Sequence, residues 1–102
     1  MIVMAQVHDR QRFIEGYAPA AAALIAQFGG HYLLRAPGAR TLEGPIPDGS
    51  SVVISEWPDV DAAQAFWDSP EYQEVKKLRE GICDATVLIV EGSLAQALET
   101  LG

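Results

Sequence analysis

Three charged side chains stand in segments whose other residues are mostly apolar, namely Arg35, Glu43 and Glu56. The planar guanidinium of Arg35 could clamp a carboxylate or an enolate, because its paired N–H groups match two oxygens at once. Burial raises the pKa of a carboxyl group, and a glutamate whose pKa is near neutrality can act as a general base. Glu43 or Glu56 is therefore predicted to be catalytic and to move a proton in a substrate that Arg35 orients. The same three residues could instead form an internal ion pair that fixes the strands or a dimer.

Aromatic and histidine side chains close to these charges are candidates for the lining of a substrate pocket. The predicted substrate-binding residues are Arg35, His31, Tyr32, Trp57, Trp67 and Tyr72. Large aromatic side chains also build ordinary cores and dimer contacts, so a structural role stays open for the four aromatic residues. His31 and His8 could shuttle protons, since histidine titrates near neutrality. Each stands at the end of an expected strand with no histidine nearby in sequence, so a surface or lining position stays the alternative.

Several kinds of site are excluded by the spacing of the residues that would build them. No group of histidine, cysteine and acidic residues has the spacing of metal ligands, so no metal is predicted. Gly29 and Gly30 end a helix and match neither nucleotide-binding glycine motif, and no cofactor is predicted. Cys83 is the one cysteine of the chain. Its nearest basic residue in sequence is Arg79, and we interpret it as an unreactive thiol.

The composition is that of a globular protein with an acidic surface. Of the 102 residues, 49% are hydrophobic and 21% are charged, and the formal net charge is −7. Nucleic-acid binding needs clustered lysine and arginine, so this balance argues against a nucleic-acid partner. No apolar run approaches the roughly 20 residues that cross a bilayer, and the opening residues lack a signal-peptide pattern. A single cysteine suits a reducing compartment, and we expect a cytoplasmic protein without a membrane partner.

Hydrophobic periodicity predicts two similar halves, each with the order strand, helix, strand. The expected strands lie at residues 1–7, 31–36, 51–57 and 85–91, and the second could extend to residue 43. Pro19 predicts a kink or break near Tyr17 in the helix of the first half. In the second half, helices are expected to start at Asp59 or Asp61 and at Pro70.

A split β-α-β pair of this kind builds a ferredoxin-like α+β domain, with a four-stranded antiparallel sheet and helices on one face. The domain is expected to span residues 1–92. Residues 93–102 are predicted to form a short C-terminal helix or tail with Leu94, Leu98 and Leu101 on one side.

Strict alternation along the strands places apolar side chains on both faces of this sheet. In the second strand, His31, Leu33 and Arg35 are predicted to share one face, and Tyr32 and Leu34 the other. One layer of helices buries only one face of a sheet. The simplest cover for the other face is a second copy of the chain, related by a two-fold axis, and the sequence therefore predicts a homodimer.

Four segments, taken together, resemble a known bacterial family. They are residues 29–35 (GGHYLLR), 42–44 (LEG), 55–58 (SEWP) and 65–73 (AFWDSPEYQ). In order and spacing they are similar to the family called domain of unknown function 1330, over residues 1–92. The resemblance implies a ferredoxin-like subunit of the dimeric α/β-barrel superfamily, in which two sheets pack face to face. That superfamily includes cofactor-free monooxygenases, haem-degrading oxygenases, isomerases and stress-response proteins. Its haem-degrading members use an Asn-Trp-His set, and because this chain contains no asparagine, haem is not expected.

Three functional hypotheses follow. The first is a homodimeric small-molecule-binding protein that acts as a cofactor-independent enzyme on a small anionic or enolisable compound by proton transfer. The second is a non-catalytic homodimer, a stress-response or interaction protein whose buried charges are structural. The third is a sensor that binds a ligand without turnover.

Overall fold

Four antiparallel strands form one layer of the structure, and helices cover one of its faces. The computed structural model describes residues 1–92, and its strands are β1 (Ile2–Val7), β2 (His31–Ala36), β3 (Ser51–Glu56) and β4 (Cys83–Leu88). Their spatial order is β2-β3-β1-β4, so β2 and β4 are the edges of the sheet. This topology confirms the predicted ferredoxin-like α+β fold. The tail helix expected at residues 93–102 lies outside the described residues.

The first helical segment contains a turn that is wider than an α-helix. It consists of α1 (Arg10–Arg12), a π-helical turn (Phe13–Tyr17) and α2 (Ala18–Gln27). The amide of Ala18 donates to the carbonyl oxygen of Phe13, five residues back, so the helix continues through the turn. The kink or break predicted near Tyr17 is therefore replaced by the π turn. Pro19 lies in the first turn of α2, where its missing N–H is tolerated.

The helices of the second half begin where the sequence predicts, because polar side chains cap them. In α3 (Val60–Asp68), the Asp59 carboxylate accepts a hydrogen bond from the amide of Ala62 at 2.7 Å. In α4 (Pro70–Lys76), the hydroxyl of Ser69 accepts from the amide of Tyr72 at 3.1 Å. A 3₁₀ turn (Lys77–Arg79) follows α4 and leads toward β4.

A β-bulge in β2 changes which side chains face the helices. Tyr32 pairs with Ser55, but the next pair along the ladder is Leu34 with Ile54, so Leu33 is an extra residue. Beyond the bulge the alternation is reversed, and Arg35 faces the helical layer together with Tyr32. The prediction that Arg35 shares a face with His31 and Leu33 was therefore wrong, because strict alternation assumes a regular strand.

The connection between β2 and β3 is a loop rather than an extension of β2. The backbone amide of Thr41 donates to the carboxylate of Asp48 at 2.7 Å, and its hydroxyl donates to the carbonyl of Ile46 at 2.7 Å. These bonds close the loop on itself. Glu43 is exposed at its surface, outside any strand.

The core between the two layers is built on aromatic contacts around Phe66, which is 2% exposed. Its ring centre lies 4.4 Å from that of Tyr72, 5.0 Å from that of Trp57 and 6.0 Å from that of Phe28. Gly30 makes room for this cluster, because a Cβ atom there would lie 2.9 Å from the Trp57 ring. Gly30, three residues beyond the end of α2, thus has to be glycine for Trp57 to pack close to Ile25.

The opposite side of the sheet has no layer over it among the described residues. We call it the outer sheet face; its apolar residues are Ile2, Met4, Leu33, Leu34, Val52, Ile54 and Leu88. Leu33, Leu34 and Leu88 are 57%, 45% and 44% exposed. Two charge pairs flank this apolar surface, His31 with Glu56 (3.1 Å) and His8 with Asp84 (2.8 Å). Within residues 1–92, no helix has the length and apolar character needed to cross a membrane.

Candidate functional site

The candidate site is a cavity of about 150 Å³ between the sheet and the helices. Its walls are mostly aliphatic and aromatic, with contributions from all four strands and from the helices that cover them. The apolar part is lined by residues such as Val3, Val53, Val87, Ile25 and Phe66. An apolar cavity of this volume is large enough for one benzene-sized ring.

The polar groups that reach the cavity include two arginines and three tyrosines. They are Arg35, Arg79, Tyr17, Tyr32 and Tyr72, with Ser51, Ser55 and Cys83 beside them. Within the described part of the chain, no carboxylate lines the cavity. The protein is acidic overall, but the two charged side chains that line this cavity are both guanidinium groups. The electrostatic potential inside the cavity therefore favours the binding of an anion.

At the β2 end of the cavity, Arg35 stacks on a tyrosine. Its guanidinium carbon lies 4.7 Å from the centre of the Tyr32 ring. No hydrogen bond or ion pair joins the Arg35 guanidinium to another residue of the described range 1–92. Burial raises the pKa of Tyr32, while Arg35 acts in the opposite direction. At neutral pH this end therefore presents a neutral phenol and a guanidinium whose N–H donors remain available.

At the β4 end, Tyr17, Tyr72 and Arg79 form what we call the tyrosine–arginine cluster. The hydroxyl oxygens of Tyr17 and Tyr72 are 2.7 Å apart, and the Arg79 guanidinium lies 5.7 Å from the centre of the Tyr17 ring. Burial raises the pKa of Tyr17, and Tyr72 raises it further. Burial acts to lower the pKa of Arg79, but the neighbouring Tyr72 and Tyr17 outweigh it and the pKa is raised. The Tyr17 phenol is thus neutral and the guanidinium charged over the physiological range.

Cys83 lies beside this cluster and is half-buried. Burial raises the pKa of its thiol, and Arg79 only partly offsets that effect. The protonated thiol is a poor nucleophile, so the structure gives Cys83 the environment of an unreactive cysteine.

The structure brings four of the sequence-predicted site residues to the cavity: Arg35, Tyr32, Trp67 and Tyr72. Trp57 packs beneath Gly30 and donates its indole N–H to the Ser55 hydroxyl at 2.9 Å, so it supports the wall.

The other three candidates lie elsewhere. His31 and Glu56 pair with each other on the outer sheet face, and Glu43 is exposed in the β2–β3 loop. Neither glutamate forms an ion pair with Arg35. The predicted juxtaposition of Arg35 with a glutamate is therefore absent from residues 1–92 as the structure describes them.

Sequence reasoning missed Tyr17 and Arg79 as lining residues. A signal for Arg79 was present, since it follows Tyr72 by seven residues, two helical turns along one face. No comparable signal existed for Tyr17. It is the last residue of the π turn, where α-helical periodicity does not hold.

The raised pKa of Tyr17 predicts a loss of stability in alkaline solution. Above its ordinary value of 10.0, the unfolded state releases the phenolic proton while the folded state retains it. The contribution of the Tyr17 phenol to the free energy of unfolding is fully present when the pH is below that value. It declines by about 1.4 kcal/mol for each pH unit above it. Urea unfolding between about pH 8 and 11 should show a shallower decline for Tyr17→Phe than for the wild type. Equal slopes for the two proteins would contradict the buried, neutral phenol.

The fold and the cavity together define a small α+β protein in which one antiparallel sheet and one helical layer enclose an apolar space with cationic ends. The chain belongs to the family described as Domain of unknown function (DUF1330), whose model matches residues 1–93. No curated protein matches the chain.

Two solved structures are similar to this chain. The first is the RPA0582 protein of unknown function from Rhodopseudomonas palustris, with a TM-score of 0.64 and 20% identity over 85% of this chain and 78% of that one. The second is the methylated RPA0582 protein, with a TM-score of 0.58 and 18% identity over 90% of this chain and 83% of that one. At these identities the likeness concerns the fold alone.

Proposed function

We propose that the cavity binds a small organic anion whose apolar body is about the size of one six-membered ring, and that Arg35 holds its anionic group. The observation that carries this proposal is the pairing of two guanidinium groups with otherwise apolar walls and no lining carboxylate within the described residues. A guanidinium with available donors binds a carboxylate through two parallel hydrogen bonds. The volume of about 150 Å³ limits the apolar body to a single ring or a comparable short chain.

The net charge of −7 does not oppose this binding. At physiological ionic strength, charges separated by more than about 8 Å are largely screened when they are exposed to solvent. The groups nearest to the ligand therefore dominate, and these are the cationic side chains at the two ends of the cavity. The acidic residues of the protein surface contribute mainly to solubility.

Proton transfer by Glu43 or Glu56 stays a prediction without geometric support, because both carboxylates lie away from the cavity. Binding does not depend on them. The proposed function is therefore that of a ligand-binding protein, and turnover of the ligand would require a proton acceptor other than these two side chains as they are placed.

The proposal extends to the assembly. The outer sheet face has an apolar centre between two charge pairs, which is the pattern of an interface with an apolar core and a polar rim. A second copy would offer the same surface through a two-fold axis, so apolar residues would meet apolar residues. We therefore propose a homodimer in which the cavities lie on the helical sides, away from the interface.

Arg35→Ala is expected to remove most of the ligand-induced stabilisation. Benzoate or cyclohexanecarboxylate at about 100 times its dissociation constant should stabilise the wild type by about 2.7 kcal/mol. This corresponds to a rise in Tm of roughly 10 °C or more for a domain of this size. In a thermal-shift assay, Arg35→Ala should lose most of that rise, because the carboxylate no longer meets its guanidinium.

The matched control is Arg40→Ala, which removes the same charge from an exposed position of the β2–β3 loop. It should retain the full shift. Benzamide, a neutral analogue of benzoate, should give none in the wild type. A shift that survives in Arg35→Ala, or a panel of single-ring carboxylates that produces no shift at all, would refute the proposed function.

A further inference from the structure

We infer that the tyrosine–arginine cluster is a second polar subsite, which accepts a hydroxyl, carbonyl or enolate oxygen at the end of the ligand opposite to the group held by Arg35. This inference rests on the proposed function and deepens it. The ligand class that follows is a single-ring carboxylate that carries a second oxygen across the ring, such as a hydroxy or oxo carboxylate.

The two polar ends belong to opposite edges of the sheet. Arg35 and Tyr32 lie on the edge strand β2, whereas Arg79 ends the 3₁₀ turn four residues before the start of the other edge strand, β4. Three inter-strand spacings, roughly 14 Å in all, separate the backbones of these edges. The Tyr32 ring reaches inward from β2 and packs against the core cluster that contains Tyr72, so the space between the side chains is shorter. Apolar side chains of β1 and β3, such as Val3 and Val53, line the cavity between them. A ligand that uses both ends must therefore have an apolar middle.

The hydrogen-bonding capacity of the cluster suits an oxygen that carries partial or full negative charge. One hydroxyl proton is used in the bond of 2.7 Å between Tyr17 and Tyr72, and the second hydroxyl proton is left to donate elsewhere. The half-buried Arg79 guanidinium beside the two rings adds further donors. Donors fixed in a largely apolar environment stabilise an oxygen anion or a polarised carbonyl more strongly than water does.

The chain places both polar ends through local irregularities of its backbone. Tyr17 is the last residue of the π turn, and Arg35 is turned toward the cavity by the β-bulge at Leu33. Such one-residue irregularities re-aim side chains and are frequent beside functional sites. A cluster needed only to tie the π turn to α4 would not require that Arg35 line the same cavity.

The test compares two ligands that differ by one oxygen, benzoate and 4-hydroxybenzoate, by isothermal titration calorimetry. The wild type should bind 4-hydroxybenzoate at least about tenfold more tightly than benzoate. In Tyr72→Phe and in Tyr17→Phe, the ratio of the two dissociation constants should fall to near one. Arg40→Ala is the comparison variant, since Arg40 is exposed in the β2–β3 loop away from the cavity, and it should keep a ratio of about ten.

The possible outcomes separate this inference from the proposal beneath it. If both ligands bind the wild type equally, the second subsite is refuted and the anion site at Arg35 stands. If the preference persists in both Tyr72→Phe and Tyr17→Phe, the cluster is not its source and the inference is refuted. If neither carboxylate binds, both proposals fall. The first comparison uses the wild type alone, so it does not depend on whether either variant folds.

Discussion

Leu34→Glu is expected to convert the proposed dimer into a monomer. Leu34 lies on the outer sheet face, pairs with Ile54 across the ladder and is 45% exposed. A carboxylate buried in an apolar interface without a partner costs at least about 2 kcal/mol, and two-fold symmetry introduces it twice. The dissociation constant of the dimer should therefore rise by about a thousandfold or more. Sedimentation velocity at micromolar concentration should show a single dimeric species for the wild type and a monomer for the variant.

Leu42→Glu is the matched control for this change. Leu42 is 91% exposed in the β2–β3 loop, so the same substitution there adds the same charge away from the outer sheet face. The control should sediment as the wild type does. A wild type that is monomeric, or a Leu34→Glu variant that stays dimeric, would show that the outer sheet face is not the interface.

Phe66→Ala should cause the largest loss of stability of any single truncation in the core. Its side chain is the largest that is fully buried among the described residues, and it contacts Tyr72, Trp57 and Phe28. Truncation of a buried phenylalanine costs about 3–5 kcal/mol, since the cavity left behind only partly collapses. Native proteins typically have a free energy of unfolding of about 5–15 kcal/mol, so this loss is a large fraction of the total stability. Calorimetry should show a fall in Tm of roughly 12 °C or more.

Phe28→Ala provides the comparison, because Phe28 is only partly buried and packs at the margin of the same cluster. Its loss of stability should be clearly smaller than that of Phe66→Ala. Since Phe66 also lines the cavity, its truncation should weaken the binding of single-ring carboxylates even at temperatures where the variant is folded. Equal losses for the two variants would contradict the central place of Phe66 in the core.

The elements of the fold could be predicted because their signals are local. Asp59 and Ser69 cap helices through bonds to residues three positions away, and Pro70 stands where proline is tolerated. The alternation of β3 is regular, so Val53 and Ser55 face the helices while Ile54 and Glu56 face outward. Periodicities of this kind depend on few residues, so short windows of sequence suffice to identify them.

The site could be predicted only in part, because its geometry depends on pairing between distant segments. Arg35 was singled out by its chemistry, yet its orientation depends on a bulge that only the pairing with β3 defines. Glu43 and Glu56 were singled out for the same reason and lie away from the cavity. Charge on an apolar strand thus has two different structural outcomes. Arg35 lines the cavity, while Glu56 pairs with His31 on the outer sheet face.

The bulge at Leu33 and the π turn make strand register and residue count, rather than residue identity, responsible for the orientation of the site. Regular pairing of β2 with Leu33 retained would turn Arg35 toward the outer sheet face, with every functional side chain still encoded. Loss of the Leu33 codon would instead close the bulge and leave Arg35 facing the helices. Loss of one codon in the π turn would rotate Tyr17 by about 100° around the helix axis. A scan of point substitutions cannot register this dependence, whereas in-frame deletions can. Among relatives of this fold, a one-residue insertion or deletion in the π turn, or a change of register at the bulge, would thus be a direct genetic route by which a charged pocket is gained or lost.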